Sequence, residues 1–443
     1  MPEAGDDDST PRPTPQQREW QRWGLGMFAH FGLNTFADVE WSDGALSPRL
    51  FDPVDLDAAE WVAAAADAGA EYFVLTAKHH DGFCLWPTAT TDYSVASSPW
   101  RAGRGDVVRQ VAEACAARGI RFGVYLSPWD RHEPSYPDAP AYDDFYTRQL
   151  TELLSGYGPI AELWLDGAGS AGRSYDWDRY LDVVDRLQPD TMVFNMGRPT
   201  IRWAGNEDGI ADDPVAYAVD RTADSQYTDS FTALPGRAYL PPECDVSIRR
   251  KWFHSPSDET KSPEHLLAIW YRSVGRGANL LLNVPPTPRG RLDPADVRAL
   301  RAFTAERERR FGAPIPGVLL DATDDGRDRA DRGRGHNGRT YRVALPRRAR
   351  IRHVELIEAL DAGQRVRHHE VRIGGETVAA GSTVGARRIH VVGPVESDEL
   401  VVQLDDGDLE AVVVYEGDDD MDVPGLPAGY QAPTATPDEL AGR

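Results

Sequence analysis

From residue 23 to about residue 311, short apolar runs alternate with amphipathic stretches, the order that yields a parallel sheet covered by helices. Strands are expected at residues 24–32 (GLGMFAHFG), 71–76 (EYFVLT), 120–126 (IRFGVYL), 160–165 (IAELWL), 192–195 and 279–284 (NLLLNV). Helices are expected at 56–68, 107–118, 143–154, 180–187, 264–274 and 294–310. The strands are apolar almost throughout, so both of their faces are expected to be buried. In an alternating chain that means a (β/α)8 barrel or a doubly wound open sheet. The polar residues decide between them. His30, His79 with His80, Tyr125 with Ser127, Asp166, Asn195 and Asn283 all stand at or just past strand C-termini. A barrel gathers such residues at one mouth, whereas an open sheet spreads them along an edge. The expected fold class is therefore α/β, a (β/α)8-like TIM barrel.

Residues 321–339 (DATDDGRDRADRGRGHNGR) turn charged and Gly-rich, the composition of a linker. Beyond them, strand-like stretches recur without helices at 340–345, 351–357, 365–373, 388–392, 400–404 and 411–415, the spacing of an antiparallel β-sandwich. The chain then becomes acidic and rich in Pro and Ala. The expected organisation is a disordered segment at 1–14, the barrel at 15–314, the sandwich at 315–417 and an acidic tail at 418–443. No internal repeat is visible.

The 443 residues are 41% hydrophobic and 27% charged, proportions of a globular chain rather than a fibrous or disordered one. No apolar run reaches the roughly 18 residues of a membrane span. With 71 acidic against 48 basic residues the formal charge is −23, which repels nucleic acid and anionic lipid; neither is an expected partner. Cys84, Cys115 and Cys244 have no metal-ligand spacing and are expected as reduced thiols. The N-terminus lacks the basic and apolar regions of a secretory signal, so cytoplasmic residence is the default expectation.

The most informative segment is ELWLDG (162–167), where an apolar strand ends in Asp166 and delivers a carboxylate to the barrel mouth on a rigid element. An aspartate there also has a plain structural use, capping a loop or pairing with an arginine. In TAKHHDGF (76–83), His79 and His80 present hydrogen-bonding vectors suited to sugar hydroxyls. Gathering His30, His79, His80 and Asp81 around a metal ion is the alternative, although adjacent histidines point apart. Glu40 with Trp41, and the segment YLPPECDVSIRRKWF (239–253), supply further candidates. Glu243 follows two prolines that stiffen the backbone, and Asp245 stands two residues on, so spacing does not choose between them. Trp41, Trp86, Tyr125, Trp129, Trp164 and Trp252 offer faces on which a sugar can stack, as well as ordinary core roles. No P-loop, GxGxxG after a strand, GxSxG or HExxH is present, which sets aside nucleotide-binding, serine-hydrolase and zincin chemistry.

These residues fall into a recognisable order. GMFAHFGLNT (26–35), Glu40–Trp41, AKHHDGFCLW (77–86), GVYLSPWDRH (123–132), ELWLDG, RWAGNEDG (202–209), PPECDVSIR (241–249) and SVGRGANLLLNVPP (273–286) together resemble the retaining α-L-fucosidases of glycoside hydrolase family 29. ECDVSIR in particular is similar to the subgroup acting on α-1,3 and α-1,4 fucose of branched oligosaccharides, as are IEALDAGQRVRHHEV and GSTVGARRI in the C-terminal region. The resemblance implies Asp166 as nucleophile and Glu243 as acid/base, with no cofactor and a fucosylated oligosaccharide or glycoconjugate as substrate. It implies His30, Glu40, Trp41, His79, His80, Tyr125 and Trp164 as contacts to the fucosyl ring, and Trp252 to its methyl group. Arg250–Lys251 stand where the family usually has a Pro-Gly turn, and His254–Ser255 where Tyr-His is common. A retaining mechanism requires two carboxyl groups about 5 to 5.5 Å apart. A fucose-binding protein without turnover, and a glycosidase acting on L-galactosides, are the competing expectations.

Overall fold

The computed structural model describes residues 10–166, 172–224, 231–324 and 338–427. Most of the expected N-terminal disorder, charged linker and acidic tail lies outside the described residues, as does Gly167 of ELWLDG. The apolar runs form eight parallel strands: β1 (Leu25–Ala29), β2 (Tyr72–Lys78), β3 (Arg121–Leu126), β4 (Glu162–Trp164), β5 (Met192–Phe194), β6 (Arg202–Trp203), β7 (Pro242–Ser247) and β8 (Asn279–Asn283). Their order is β5-β4-β3-β2-β1-β8-β7-β6. A single parallel bridge, Phe194 to Ile201, brings the two ends together and nearly closes a TIM-like barrel. Asn195, at a left-handed φ of 65°, clamps this seam: its side-chain oxygen accepts from Trp203 N and its amide donates to Ala223 O.

The barrel helices begin where the sequence supplies caps. Asp57, Asp106, Asp138, Asp176, Ser262 and Asp293 each accept a backbone N–H in the first turn of the helix they precede. The helix Pro15–Trp23, which the hydrophobic pattern does not reveal, is set by a capping box between Thr14 and Gln17. It closes the end of the barrel opposite the mouth. Gln17 donates to the carbonyls of Thr200 and Tyr239, Trp20 donates into the interior to Glu162, and Asn279 donates to Trp20 O.

The C-terminal domain is an antiparallel sheet of seven strands. The stretches expected separately at 340–345 and 351–357 form one long strand, Arg339–Glu358, and those at 388–392 and 400–404 form another, Arg388–Leu404. Both continue through register shifts near Ala344/Ala349 and Ile351/His353. The bulges carry the first strand across PRRAR (346–350), the gap between the two expected stretches. Buried residues of both halves, including Val343, Ile351, Leu356, Val371, Val402 and Val412, share one core.

This domain grips the chain that follows β6. Gln364 accepts from Tyr217 N and donates to Val215 O, the Tyr217 hydroxyl donates to Gly277 O and accepts from Ala386 N, and Arg388 forms a forked pair with Asp213. An antiparallel hairpin, Ala218–Ala223 with Phe231–Tyr239, extends the same connection.

Candidate active site

Asp166 follows β4 and is about a quarter exposed. Its Oδ2 accepts from the Tyr125 hydroxyl at 3.0 Å and lies 3.3 Å from His80 Nε2. Tyr125 is on β3 and His80 just past β2, so three consecutive strand ends build this corner. The corner is braced from behind. Lys78, fully buried, pairs with Asp130 at 2.8 Å, and Asp130 also accepts from the backbone N–H groups of His132 and Glu133. That pair holds the loop carrying Trp129, whose ring lies 5.0 Å from His80 and 5.5 Å from Trp41.

The neighbouring histidines are neutral. Asn283 Oδ1 accepts from both the backbone N and the Nδ1 of His30, each at 3.0 Å, which leaves Nε2 of His30 as an acceptor. Burial lowers the His30 pKa to about 3. His79 stacks on Tyr125 at 5.6 Å and 12°, and burial lowers its pKa well below the ordinary histidine range. Its buried Nδ1 has no hydrogen-bond partner among the described residues.

Trp252 is fixed at three points. Its backbone N donates to Glu40 Oε1 (2.7 Å), its carbonyl accepts from Asn283, and its side chain hydrogen-bonds Glu207. Phe253 stands edge-on to both His30 and His79. In place of a Pro-Gly turn, Asp258 Oδ2 accepts from the N–H groups of both Arg250 and Lys251 and folds the loop back.

Glu243 lies elsewhere. It is wholly buried inside the barrel, at the register of Asn279 on β8. Tyr72 donates to its Oε1 (2.5 Å) and Trp164 to its Oε2 (2.9 Å). Glu162 hydrogen-bonds it as well, while accepting from Trp20. Burial raises both carboxyls, and the hydrogen bonds Glu243 receives oppose the rise there. Trp164 is held beneath the mouth by this bond, and its ring stacks between Phe194 and Tyr125.

Two residues further along the same face, Asp245 accepts from Trp203 Nε1 at 2.6 Å, and burial pushes its pKa up to about 8. A third carboxyl, Glu207, enters from the loop after β6 and is partly exposed. Burial raises its pKa well above the ordinary carboxylate range, the charges of Asp245 and Asp166 add to the rise, and the hydrogen bond from Trp252 opposes it. Its loop is folded by Asn206, whose Oδ1 accepts from Asp208 N and Ile210 N and whose amide donates to Ile210 O. Glu207 lies inside RWAGNEDG, but β6 is too short to leave a periodic signal, so the sequence does not mark it as a residue past a strand end. Among the described residues no group of three or more His, Cys, Asp or Glu is arranged to hold a metal ion.

A TIM-like barrel that turns carboxyls, neutral histidines and indoles toward one mouth is the architecture of a glycoside hydrolase. Residues 37–305 match the family described as Alpha-L-fucosidase. Alpha-L-fucosidase 1 of Arabidopsis thaliana is 37% identical over 444 residues, covering 92% of this chain and 87% of the plant protein. The crystal structure of SpGH29 superposes with a TM-score of 0.82 at 32% identity, covering 92% of this chain and 99% of that one. A Ruminococcus gnavus GH29 fucosidase solved in complex with fucose gives a TM-score of 0.78 at 28% identity over 94% and 96% of the two chains. The chain belongs to the α-L-fucosidases, glycoside hydrolase family 29.

Proposed function

We propose that the chain is an exo-acting α-L-fucosidase that works by double displacement with retention, with Asp166 as nucleophile and Glu207 as acid/base. The observation that carries this assignment is the contrast between two glutamates. Glu207 is partly exposed, and its pKa is raised by burial and by the charges of Asp245 and Asp166. Glu243, which the family resemblance implies as the acid, is fully buried and already accepts from Tyr72 and Trp164. A carboxylate saturated with donors, below the indole floor, has no route for a proton to a departing oxygen. We assign Glu243 to orienting Trp164.

In this mechanism Asp166 attacks the anomeric carbon while Glu207 protonates the leaving oxygen. Water, deprotonated by Glu207, then cleaves the ester and restores both groups. His30 Nε2 and His79 Nδ1 suit sugar hydroxyls, one as acceptor and the other as a buried atom awaiting a partner. Trp41 and Trp252 supply apolar faces. The substrate we assign is a terminal α-1,3- or α-1,4-linked fucose on a branched oligosaccharide or glycoconjugate, supported by the similarity of ECDVSIR and the C-terminal segments to the subgroup with that preference.

Chemical rescue with azide and an aryl fucoside tests the roles. Asp166→Ala is expected to yield the β-fucosyl azide, and Glu207→Ala the α-fucosyl azide, because the first reaction inverts once and the second twice. An α-azide formed by Glu243→Ala, with Glu207→Ala unresponsive, would return the acid role to Glu243. Lewis-type trisaccharides, blood-group H structures and the aryl fucoside compared as substrates test the linkage. Release of fucose from the aryl compound alone would overturn the assigned preference.

A further inference from the structure

Ser127, fully buried just past β3 within GVYLSPWDRH, has no sugar contact implied for it, yet it sits behind the nucleophile's histidine. Its Oγ lies 2.7 Å from the carbonyl oxygen of Trp129 and 2.7 Å from Nδ1 of His80. Each contact at that length requires a hydrogen between the heavy atoms. A carbonyl has none to give, so the single serine hydrogen points to Trp129 O. The hydrogen in the second contact must then belong to His80 Nδ1. Tyr125, which also hydrogen-bonds Ser127, spends its own hydrogen on Asp166 and competes only as another acceptor of the serine proton.

With Nδ1 committed as a donor, a neutral His80 would present a bare Nε2 lone pair to Asp166 Oδ2 at 3.3 Å, two acceptors facing each other. A second proton on Nε2 removes the conflict and makes the contact an ion pair. The other groups around the ring are His79 at 4.2 Å, His30, Tyr125, and the indoles of Trp41 and Trp129. Both neighbouring histidines are neutral and add no repelling charge.

We propose that Ser127 is a positioning residue that fixes the proton on His80 Nδ1 and thereby makes His80 the cationic partner of the ionised Asp166. In a mouth that also holds Asp245 and Glu207, both pushed up, this directs the negative charge to Asp166. The kinetic part of the proposal rests on Asp166 being the nucleophile; the protonation part does not.

Protein labelled with 15N-histidine, with the His80 signal identified from His80→Gln, tests it near neutral pH. His80 is expected to carry hydrogen on both ring nitrogens in the wild type, to be neutral with hydrogen on Nδ1 in Asp166→Asn, and neutral with hydrogen on Nε2 in Ser127→Ala. A wild-type His80 with a bare Nδ1 would overturn the proposal, and this readout stands even if Ser127→Ala does not fold. In kinetics, Ser127→Ala is expected to lower kcat about 10- to 100-fold with little change in KM, and to move the acid limb of kcat/KM to higher pH, since a carboxylate that loses a nearby cation is harder to ionise. An unmoved acid limb alongside the expected NMR change would overturn the kinetic role alone. Failed azide rescue of Asp166→Ala with the NMR pattern intact would instead count against Asp166 as nucleophile.

Discussion

Glu162 and Glu243 hydrogen-bond each other within a cage of Trp20, Tyr72 and Trp164. Because burial raises the Glu162 pKa above 4.5, the folded state keeps a proton there that the unfolded chain releases. Between pH 4.5 and the folded-state pKa the native protein therefore binds more protons, and stability falls as pH rises through that window, by up to ~1.4 kcal/mol per unit for one group. Glu162→Gln keeps a donor for Glu243 and an acceptor for Trp20 but has nothing to ionise. Its melting temperature is expected to match or exceed that of the wild type, with the gap widening from about pH 5 to about pH 8. A gap that narrows over that range would place the proton elsewhere. At the mouth, Asp166→Asn removes the attacking charge while keeping the shape. It is expected to preserve the fold by circular dichroism and lower kcat by several orders of magnitude.

The loop from Ala204 to Ala211 carries Glu207, and its turn depends on glycine. Gly209 has φ +72°, and a Cβ there would come within 2.7 Å of Ile269 Cγ2 and 2.8 Å of Val246 Cγ1. Gly209→Ala combines left-handed strain of ~1 kcal/mol or more with a clash against two buried side chains. It is expected to lower both the melting temperature and kcat, the latter at least tenfold; an unchanged kcat would mean the loop does not need this turn to aim Glu207. This element also marks the limit of what the pattern along the chain reveals. β1 to β5 and β8 are buried on both faces, so their apolar runs stand out and the polar residues past them, His30, His80 and Asp166, are legible. β6 spans two residues and β7 carries Glu243, Asp245 and Ser247 on a buried strand, so neither reads as apolar. The pattern thus exposes Glu243 through its motif but not its depth, and leaves Glu207 in an unmarked loop. Hydroxyl partners such as Tyr72 and Ser127 owe their roles to packing across strands, which no spacing encodes.

At the scale of the molecule, the C-terminal domain holds the connection that leaves the Glu207 loop, through Tyr217, Gln364 and the Asp213–Arg388 pair. Tyr217→Phe strips a buried hydroxyl from Gly277 O and Ala386 N, at a cost of ~1–3 kcal/mol for the groups left unsatisfied. Thermal unfolding is expected to shift down and kcat to fall with it. A lower melting temperature at unchanged kcat would make the second domain a stabiliser alone. Residues 37–305 carry the family match, yet the relatives that align over both domains fit this gripping role.

One consequence follows from the single bridge between Phe194 and Ile201. Seven strand pairs are laddered in register, while the eighth, β5 with β6, meets through one bridge and a few hydrogen bonds around Val193 and Asn195, so this seam is the shortest join in the cylinder. The hairpin strands Ala218–Ala223 and Phe231–Tyr239 stand beside this seam, tied to it where Asn195 donates to Ala223 O, and a longer hairpin can be accommodated there without altering the ladders of the other strands. Divergence in which acceptor sugar is tolerated is expected to accumulate at that seam, and grafting a relative's hairpin there should alter acceptor choice before it alters the sugar removed.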